Sequence, residues 1–386
     1  MKIMAVFGTR PEAIKMCPLV LELKTRQGVD MVVCVTGQHQ EMLEDVLAKF
    51  HVVSDHNLDI MLPDQTLFDI TTRILERIQS VLKEEKPDLV LVHGDTSTAF
   101  CAALACFYLH IPVGHVEAGL RTYDLDAPFP EEFNRQAVGL VANWHFAPTE
   151  AARQNLLAEG KKAESIYVTG NTGLDALRLI LDDNYSHPVL EWAAGKKLVL
   201  LTAHRRENSG EPFIHIFKAV RRLTERFSDI CVIYPMHMNP KIRKLAREIL
   251  GGNPQVKLLE PLNPYDFQNI MAHSALVLTD SGGIQEEAPA LGKPVLVMRD
   301  TTERPEGVEA GTLKLTGTSE EEIYCAASAL LSDEAVYEKM AHAVNPYGDG
   351  YASHRIADIL CVNMEDRVCN KSGSDSKTLA YNQKRT

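Results

Sequence analysis

The chain has 386 residues, of which 45% are hydrophobic, and a formal net charge of −12. That length exceeds one ordinary core and suits two domains. The acidic balance argues against nucleic acid and anionic membrane as partners, because both would be repelled at long range.

The opening "MKIMAVFG" reads as a strand and is too short for a signal peptide. "PEAIKMCPLVLELKTR" follows with apolar residues at helical spacing. Next come the strand "DMVVCVTG", a helix from Glu41, the strand "PDLVLVHGD", a helix from Thr98 and the strand "IPVGHVEAG". Near-continuous apolar strands alternating with helices predict a parallel sheet covered on both faces. The rhythm restarts at "KKLVLLTAH" and runs through "DICVIYPMH", "VKLLE", "ALVLTD" and "KPVLVM". The fold class expected is therefore α/β, with two doubly wound Rossmann-like domains facing a cleft.

The polar stretch "DDNYSHP" marks the boundary region. The expected organisation is an N-terminal domain over 1–172 and a C-terminal domain over 173–350. A helix over 351–366 would pack back on the first domain, and a polar, disordered tail would occupy 367–386. Eight cysteines, none in a C-x-x-C pair, read as buried thiols in a reducing cytosol. No apolar run is long enough to span a bilayer, so a cytoplasmic protein is expected.

The residues that can carry chemistry sit where strands end. "TDSGGIQEE" joins a strand to a helix through Ser281, Gly282 and Gly283. Glycines let the backbone approach a ligand, and the free N–H groups of a first helical turn favour an anion. Glu287 lies about one turn further on and suits a ribose diol. The plainer reading is a Gly-rich turn whose acids complement the helix dipole. In "FGTRPEAIK", Thr9 and Glu12 are spaced as a capping box, with Pro11 in the first turn. Arg10 and Lys15 then stand at the positive end of a helix, which fits a bound anion better than two solvated charges.

Asp95 ends "LVLVHGD", Glu117 ends "PVGHVE", and Glu131 lies in the Pro-broken loop "DAPFPEEFNR". Any one of them alone fits a helix cap, as Asp95 would before "TSTAF". Three converging carboxylates instead raise one another's proton affinity and can divide into acid and base. His204 and Arg205 in "TAHRREN" suit a phosphate more than a metal, and His237 in "PMHMNP" is ambiguous. "DLD" at 124–126 resembles a metal-binding acid pair of some sugar transferases, a pattern common by chance. No H-E-x-x-H, G-x-G-x-x-G, G-x-S-x-G or Walker-type loop is present.

Together, "GTRPEAIK", "VHGDTSTAF", "HVEAGLRTYDLDAPFPEEFNR", "TAHRREN" and "TDSGGIQEEAPALGKPVLVMRDTTERPE" closely resemble the bacterial non-hydrolysing UDP-N-acetylglucosamine 2-epimerases. The likeness spans about residues 1–360, with the blocks in the family's order. It implies a glycosyltransferase-B type fold and interconversion of UDP-N-acetylglucosamine and UDP-N-acetylmannosamine. It also implies a homodimer, no NAD or metal cofactor, and a product that feeds surface polysaccharide. By the same resemblance, Asp95, Glu117 and Glu131 match the catalytic acids and His204 the active-site histidine. Arg10 and Lys15 match residues near the diphosphate, Ser281, Gly282 and Gly283 the phosphate turn, and Glu287 the ribose ligand. Phe267 matches a residue beside the uracil, Arg304 a sugar-nucleotide contact, and Arg135, Arg205 and His237 join the substrate-binding group.

Many members also bind a second substrate molecule as activator, through a block that here reads "TGQHQEML". Gln38 and His39 fit that regulatory block. Gln40, Glu41 and Asp64 depart from it, and the acids would repel a diphosphate, which argues against such activation. The alternatives to weigh are a hydrolysing 2-epimerase releasing UDP and N-acetylmannosamine, a glycosyltransferase of the same fold, and a non-catalytic nucleotide-sugar sensor.

Overall fold

The computed structural model of the chain describes residues 1–37, 40–62, 65–204, 210–302 and 304–362. Gln38, His39, Asp64, Arg205 and the tail from 367 lie outside the described residues, as do the side chains of Gln40 and Glu41. Two compact units are present. One comprises Met1–Ala176 with the described residues from Gly350 onward, and the other comprises Leu177–Asp349.

The first unit alternates strand and helix in chain order: β1 Lys2–Phe7, α1 Arg10–Lys24, β2 Asp30–Val35, α2 Gln40–Lys49, β3 His56–Asn57, α3 Leu67–Glu85, β4 Leu89–His93, α4 Ser97–Tyr108, β5 Val113–Val116, α5 Glu131–Val141, β6 Trp144–Ala147, α6 Glu150–Ala158 and β7 Ile166–Val168, and α7 Thr172–Ile180 carries the chain from it into the second unit. The strands form one parallel sheet in the order β3-β2-β1-β4-β5-β6-β7. The order reverses between β1 and β4, and in such sheets ligands bind beyond the carboxyl ends at that switch point. The residues just past those ends are Gly8–Arg10 and Gly94–Asp95.

Local chemistry explains these elements. Thr9 caps α1 through a capping box with Glu12, Pro11 occupies the first turn, and Ala13, Met16, Cys17, Val20 and Leu23 bury one face. Gly8 leaves no choice of residue, since a Cβ there would come within 1.9 Å of Thr36 Oγ1 and 2.5 Å of Thr98 Oγ1. Two starts differ from the pattern read along the chain. α2 begins at Gln40, and α4 begins at Ser97 because Thr96, not Asp95, accepts the capping hydrogen bond from Ala99 N–H. Helical residues 352–362 join this unit: Asp175 accepts from the backbone N–H groups of Ala352 (3.1 Å) and Ser353 (2.7 Å), and Arg355 donates to Thr169 O.

The second unit continues with α8 Pro188–Ala193, β8 Lys197–Thr202, α9 Glu211–Arg226, β9 Ile230–Pro235, α10 Pro240–Leu250, β10 Val256–Leu259, α11 Pro264–Ala272, β11 Leu276–Thr279, α12 Ile284–Ala290, β12 Val295–Val297, α13 Pro305–Glu309, β13 Leu313–Leu315, α14 Glu320–Ser332 and α15 Glu334–Ala341. Its parallel sheet runs β10-β9-β8-β11-β12-β13, so its switch point lies between β8 and β11. Apolar side chains fill both faces of this sheet, with Val199, Phe217 and Val232 in one cluster and Leu200, Ile233 and Val277 in the other. Cys17, Cys34, Cys101 and Cys106 are buried and unpaired, and burial pushes each thiol up to about 12. No helix among the described residues is long and apolar enough to cross a membrane.

Candidate active site

In the first unit the three predicted acids come together around the ends of β4 and β5. Asp95 follows Gly94 and is gripped by the Arg135 guanidinium from α5. Its backbone carbonyl accepts from Asn134 Nδ2 at 2.9 Å, tying the same helix to the turn. Burial raises the proton affinity of Asp95, Arg135 opposes this, and the charges of Glu117 and Glu131 raise it further. Asp95 therefore senses both of the other carboxylates. Glu131 opens α5 instead of lying in a loop: Pro130 stands at the N-cap, and its carbonyl accepts the Asn134 N–H at 3.1 Å as the first hydrogen bond of the helix.

Glu117 sits in the left-handed region at φ 61°, unusual for a side chain with a Cβ and a conformation tolerated mainly at sites under other constraint. The constraint is visible. Lys15 from α1 pairs with its Oε1, and its Oε2 lies 3.3 Å from where a Cβ on Gly94 would stand. Gly94 is itself at φ 61°. Lys15 thus stands among the acids in this structure, not only at a helix end. Arg10, the first residue of α1, is half-buried at the switch point. Arg135 also reaches Glu132 Oε2 at 3.3 Å. Glu132 is fully buried, yet the hydrogen bonds from Gln136, Thr122 N–H and Tyr123 N–H outweigh that burial and hold its carboxyl below the usual range.

In the second unit the predicted groups gather at the switch point between β8 and β11. Asp280 is fully buried and holds the His204 backbone: its Oδ2 accepts from the His204 N–H at 2.8 Å, and its Oδ1 lies at ion-pair distance, 3.1 Å, from the ring Nδ1. The ring is still 41% exposed, so one edge is fixed while the other faces solvent. His237 stacks against it with ring centroids 6.1 Å apart. Thr279 Oγ1 accepts the Ser281 N–H at 2.9 Å, and Gly282 and Gly283 supply the carbonyls that start α12. Their own N–H groups donate to no acceptor among the described residues, which suits an oxyanion. Glu287 on α12 accepts from Gln268 of α11 at 2.8 Å, and Phe267 beside it is partly buried in the core. Arg304 donates through Nε to Glu286 at 2.6 Å. The "DLD" acids form a turn in which Asp124 Oδ1 accepts the Asp126 N–H.

The family model described as UDP-N-acetylglucosamine 2-epimerase matches residues 21–361. The Bacillus subtilis protein named UDP-N-acetylglucosamine 2-epimerase is 58% identical over 360 residues, covering 93% of this chain and 95% of the relative. The chain belongs to the UDP-N-acetylglucosamine 2-epimerase family. Among solved structures, one titled UDP-N-acetylglucosamine 2-epimerase has a TM-score of 0.89 at 56% identity, covering 95% of this chain and 96% of that one. The Neisseria meningitidis enzyme, solved bound to UDP-GlcNAc, has a TM-score of 0.80 at 47% identity, covering 94% of this chain and 100% of its own. The fold is the glycosyltransferase-B type of these epimerases.

Within this family member, sequence reasoning missed three groups. Asp280 ends the strand "ALVLTD", and an acid closing a largely apolar run is the available signal of a buried partner. Glu132 was passed over beside Glu131. His93, two residues before Asp95, is buried, and its Nε2 lies 3.8 Å from Glu117 Oε2. A polar residue ending "LVLVH" was the available clue.

Proposed function

We propose that this chain interconverts UDP-N-acetylglucosamine and UDP-N-acetylmannosamine by eliminating and re-adding UDP. The C2 hydrogen of the sugar is not acidic, so direct abstraction is too costly. When the C1–O bond breaks, its electron pair leaves with UDP and positive charge develops at C1. The C2–H bond then yields its proton to a carboxylate, and its electrons form the C1=C2 bond of a 2-acetamidoglucal. A proton delivered to the opposite face of C2, with attack of the UDP oxygen on C1, gives the epimer. Nothing is oxidised or reduced overall.

The chain's residues divide this work. Asp95 and Glu131 serve the two faces of C2, with Glu117 in support. His204, the Ser281-Gly282-Gly283 turn and Arg10 stabilise the pyrophosphate as it leaves. Glu287 takes the ribose diol, Phe267 lies by the uracil, and Arg135, His237 and Arg304 complete the contacts. The observation that carries this reading is the carboxylate group of the first unit. Asp95 is pushed toward higher proton affinity by burial and by two neighbouring acids, yet is held in place by Arg135. A base that takes a proton from carbon is helped by an affinity raised above that of a free carboxylate.

Incubation of the protein with UDP-N-acetylglucosamine, followed by proton NMR, tests it. UDP-N-acetylmannosamine should accumulate to a fixed ratio, and free N-acetylmannosamine would instead support the hydrolysing alternative. We further place the protein in the cytoplasm, supplying surface polysaccharide, as a homodimer. Exposed Phe68 of α3, Phe107 and Tyr108 of α4 and Phe133 of α5 support a buried apolar interface. Light scattering reading a monomer mass at micromolar concentration would remove the dimer.

A further inference from the structure

Each carboxylate oxygen of Glu117 has a nitrogen-bearing side chain near it, and the two differ in kind. Lys15 of α1 pairs with Oε1. Opposite it, His93 closes β4 with only 4% exposure, and its Nε2 faces Oε2 at 3.8 Å. That nitrogen is shielded from solvent and makes no hydrogen bond among the described residues. The separation is too long for a hydrogen bond, and a buried polar atom left without one is a cost that folds rarely retain without use. Burial holds the ring neutral, pushing it down to about 4 against the pull of Glu117 and with help from Lys15.

We propose that His93 is a positioning residue that partners Glu117 Oε2 in both of that acid's protonation states. A lysine can only donate, so Lys15 favours the carboxylate alone. A neutral imidazole carries one N–H and one bare nitrogen and can present either at Nε2 by changing tautomer, in which Nε2 gives up its proton while Nδ1 takes one and the ring stays neutral. To the carboxylate it donates; from the carboxylic acid it accepts. The charge of Glu117 raises the proton affinity of Asp95, so the two acids are coupled, and gain of a proton at one favours loss at the other. An acid that must follow its neighbour through charged and neutral forms needs a partner that stabilises both. A movement of about 1 Å closes the gap to bonding distance. Lys15 of α1, His93 of β4 and Asp95 just past β4 are charged or titratable groups that face Glu117.

The inference rests on the epimerase reading above, and its test separates the two. His93→Leu removes both donor and acceptor, whereas His93→Gln keeps one of each. His93→Leu should lower kcat for epimerisation by about 30-fold and leave KM within about threefold. His93→Gln should recover activity to within about fivefold of wild type. In the wild-type enzyme, 15N-histidine NMR, assigned by the signal missing from His93→Gln, should show a neutral ring at pH 7 whose Nε2 shift moves when the UDP-sugar binds. Equal loss in both variants, which would mean packing alone, or full activity in both would overturn the role of His93 while leaving the epimerase reading standing. So would a doubly protonated ring, or an Nε2 shift that does not respond. The NMR result decides the matter even if His93→Leu does not fold. A wild-type protein that forms no epimer would sink the reading itself.

Discussion

The two units are built on the same plan yet dispose charge differently at their switch points. The first sets cations against individual acids, Lys15 on Glu117 and Arg135 on Asp95. The second buries a single acid, Asp280, and spends it on fixing His204, while the nearby Gly282 and Gly283 offer backbone N–H groups. The difference follows from what each must hold. Moving a proton calls for carboxylates whose affinity is tuned by burial and neighbours. Retaining a departed anion calls for donors with no competing negative charge in front of them.

The sharpest way to break this division is to neutralise an acid of the first unit. Asp95→Asn or Glu131→Gln should slow C2 hydrogen exchange by about 10³-fold and leave UDP binding by calorimetry unchanged; exchange near the wild-type rate would remove that residue from proton transfer. In the second unit, Asp280→Asn should do the reverse. It should weaken UDP binding by about 30-fold and lower stability by about 2 kcal/mol in denaturant titration, because His204 loses its fixed edge. Glu287→Gln should weaken UDP by about tenfold and bind 2′,3′-dideoxyuridine diphosphate as before, since only the contact to the ribose diol is altered.

Two smaller effects sharpen the contrast through pH. Arg135 opposes the burial that raises Asp95. Arg135→Gln removes that opposition, so Asp95 should hold its proton more tightly and the acidic limb of kcat/KM should move to higher pH; a limb that stays or moves down contradicts the pairing. The first unit also buries His93, His115 and His145, whose rings burial pushes from 6.5 down to about 4, about 3 and about 4. Unfolded chains bind protons at these sites where the folded unit does not, so their contribution is intact above pH 6.5 and is lost as pH falls toward 4. Hydrogen exchange by mass spectrometry should show unit 1 losing protection across that window before unit 2.

Much of this was legible in the chain and some was not, for physical reasons. The capping box of Thr9 and Glu12, the strand rhythm and the Ser-Gly-Gly turn are local features, written within a few residues of one another. The pairing of Arg135 with Asp95 spans 40 positions, and that of Lys15 with Glu117 spans 102. Such contacts depend on which strands become neighbours, and no short pattern encodes that. Asp95 illustrates the limit: locally it suits a helix cap, but Thr96 takes that place and leaves the carboxylate to Arg135. Glu131 and Glu132 are adjacent acids with opposite fates, one half-buried at the helix start, the other fully buried and locked in hydrogen bonds. Only the direction each side chain takes on α5 separates them.

The most direct measurement of the central claim is turnover of UDP-N-acetylglucosamine in D2O, followed by mass spectrometry and NMR. Deuterium at C2 of both epimers, with UDP still attached, is the predicted result. Epimers formed without deuterium, or labelled sugar released free of the nucleotide, would contradict the claim that the chain retains UDP while a proton is exchanged at C2.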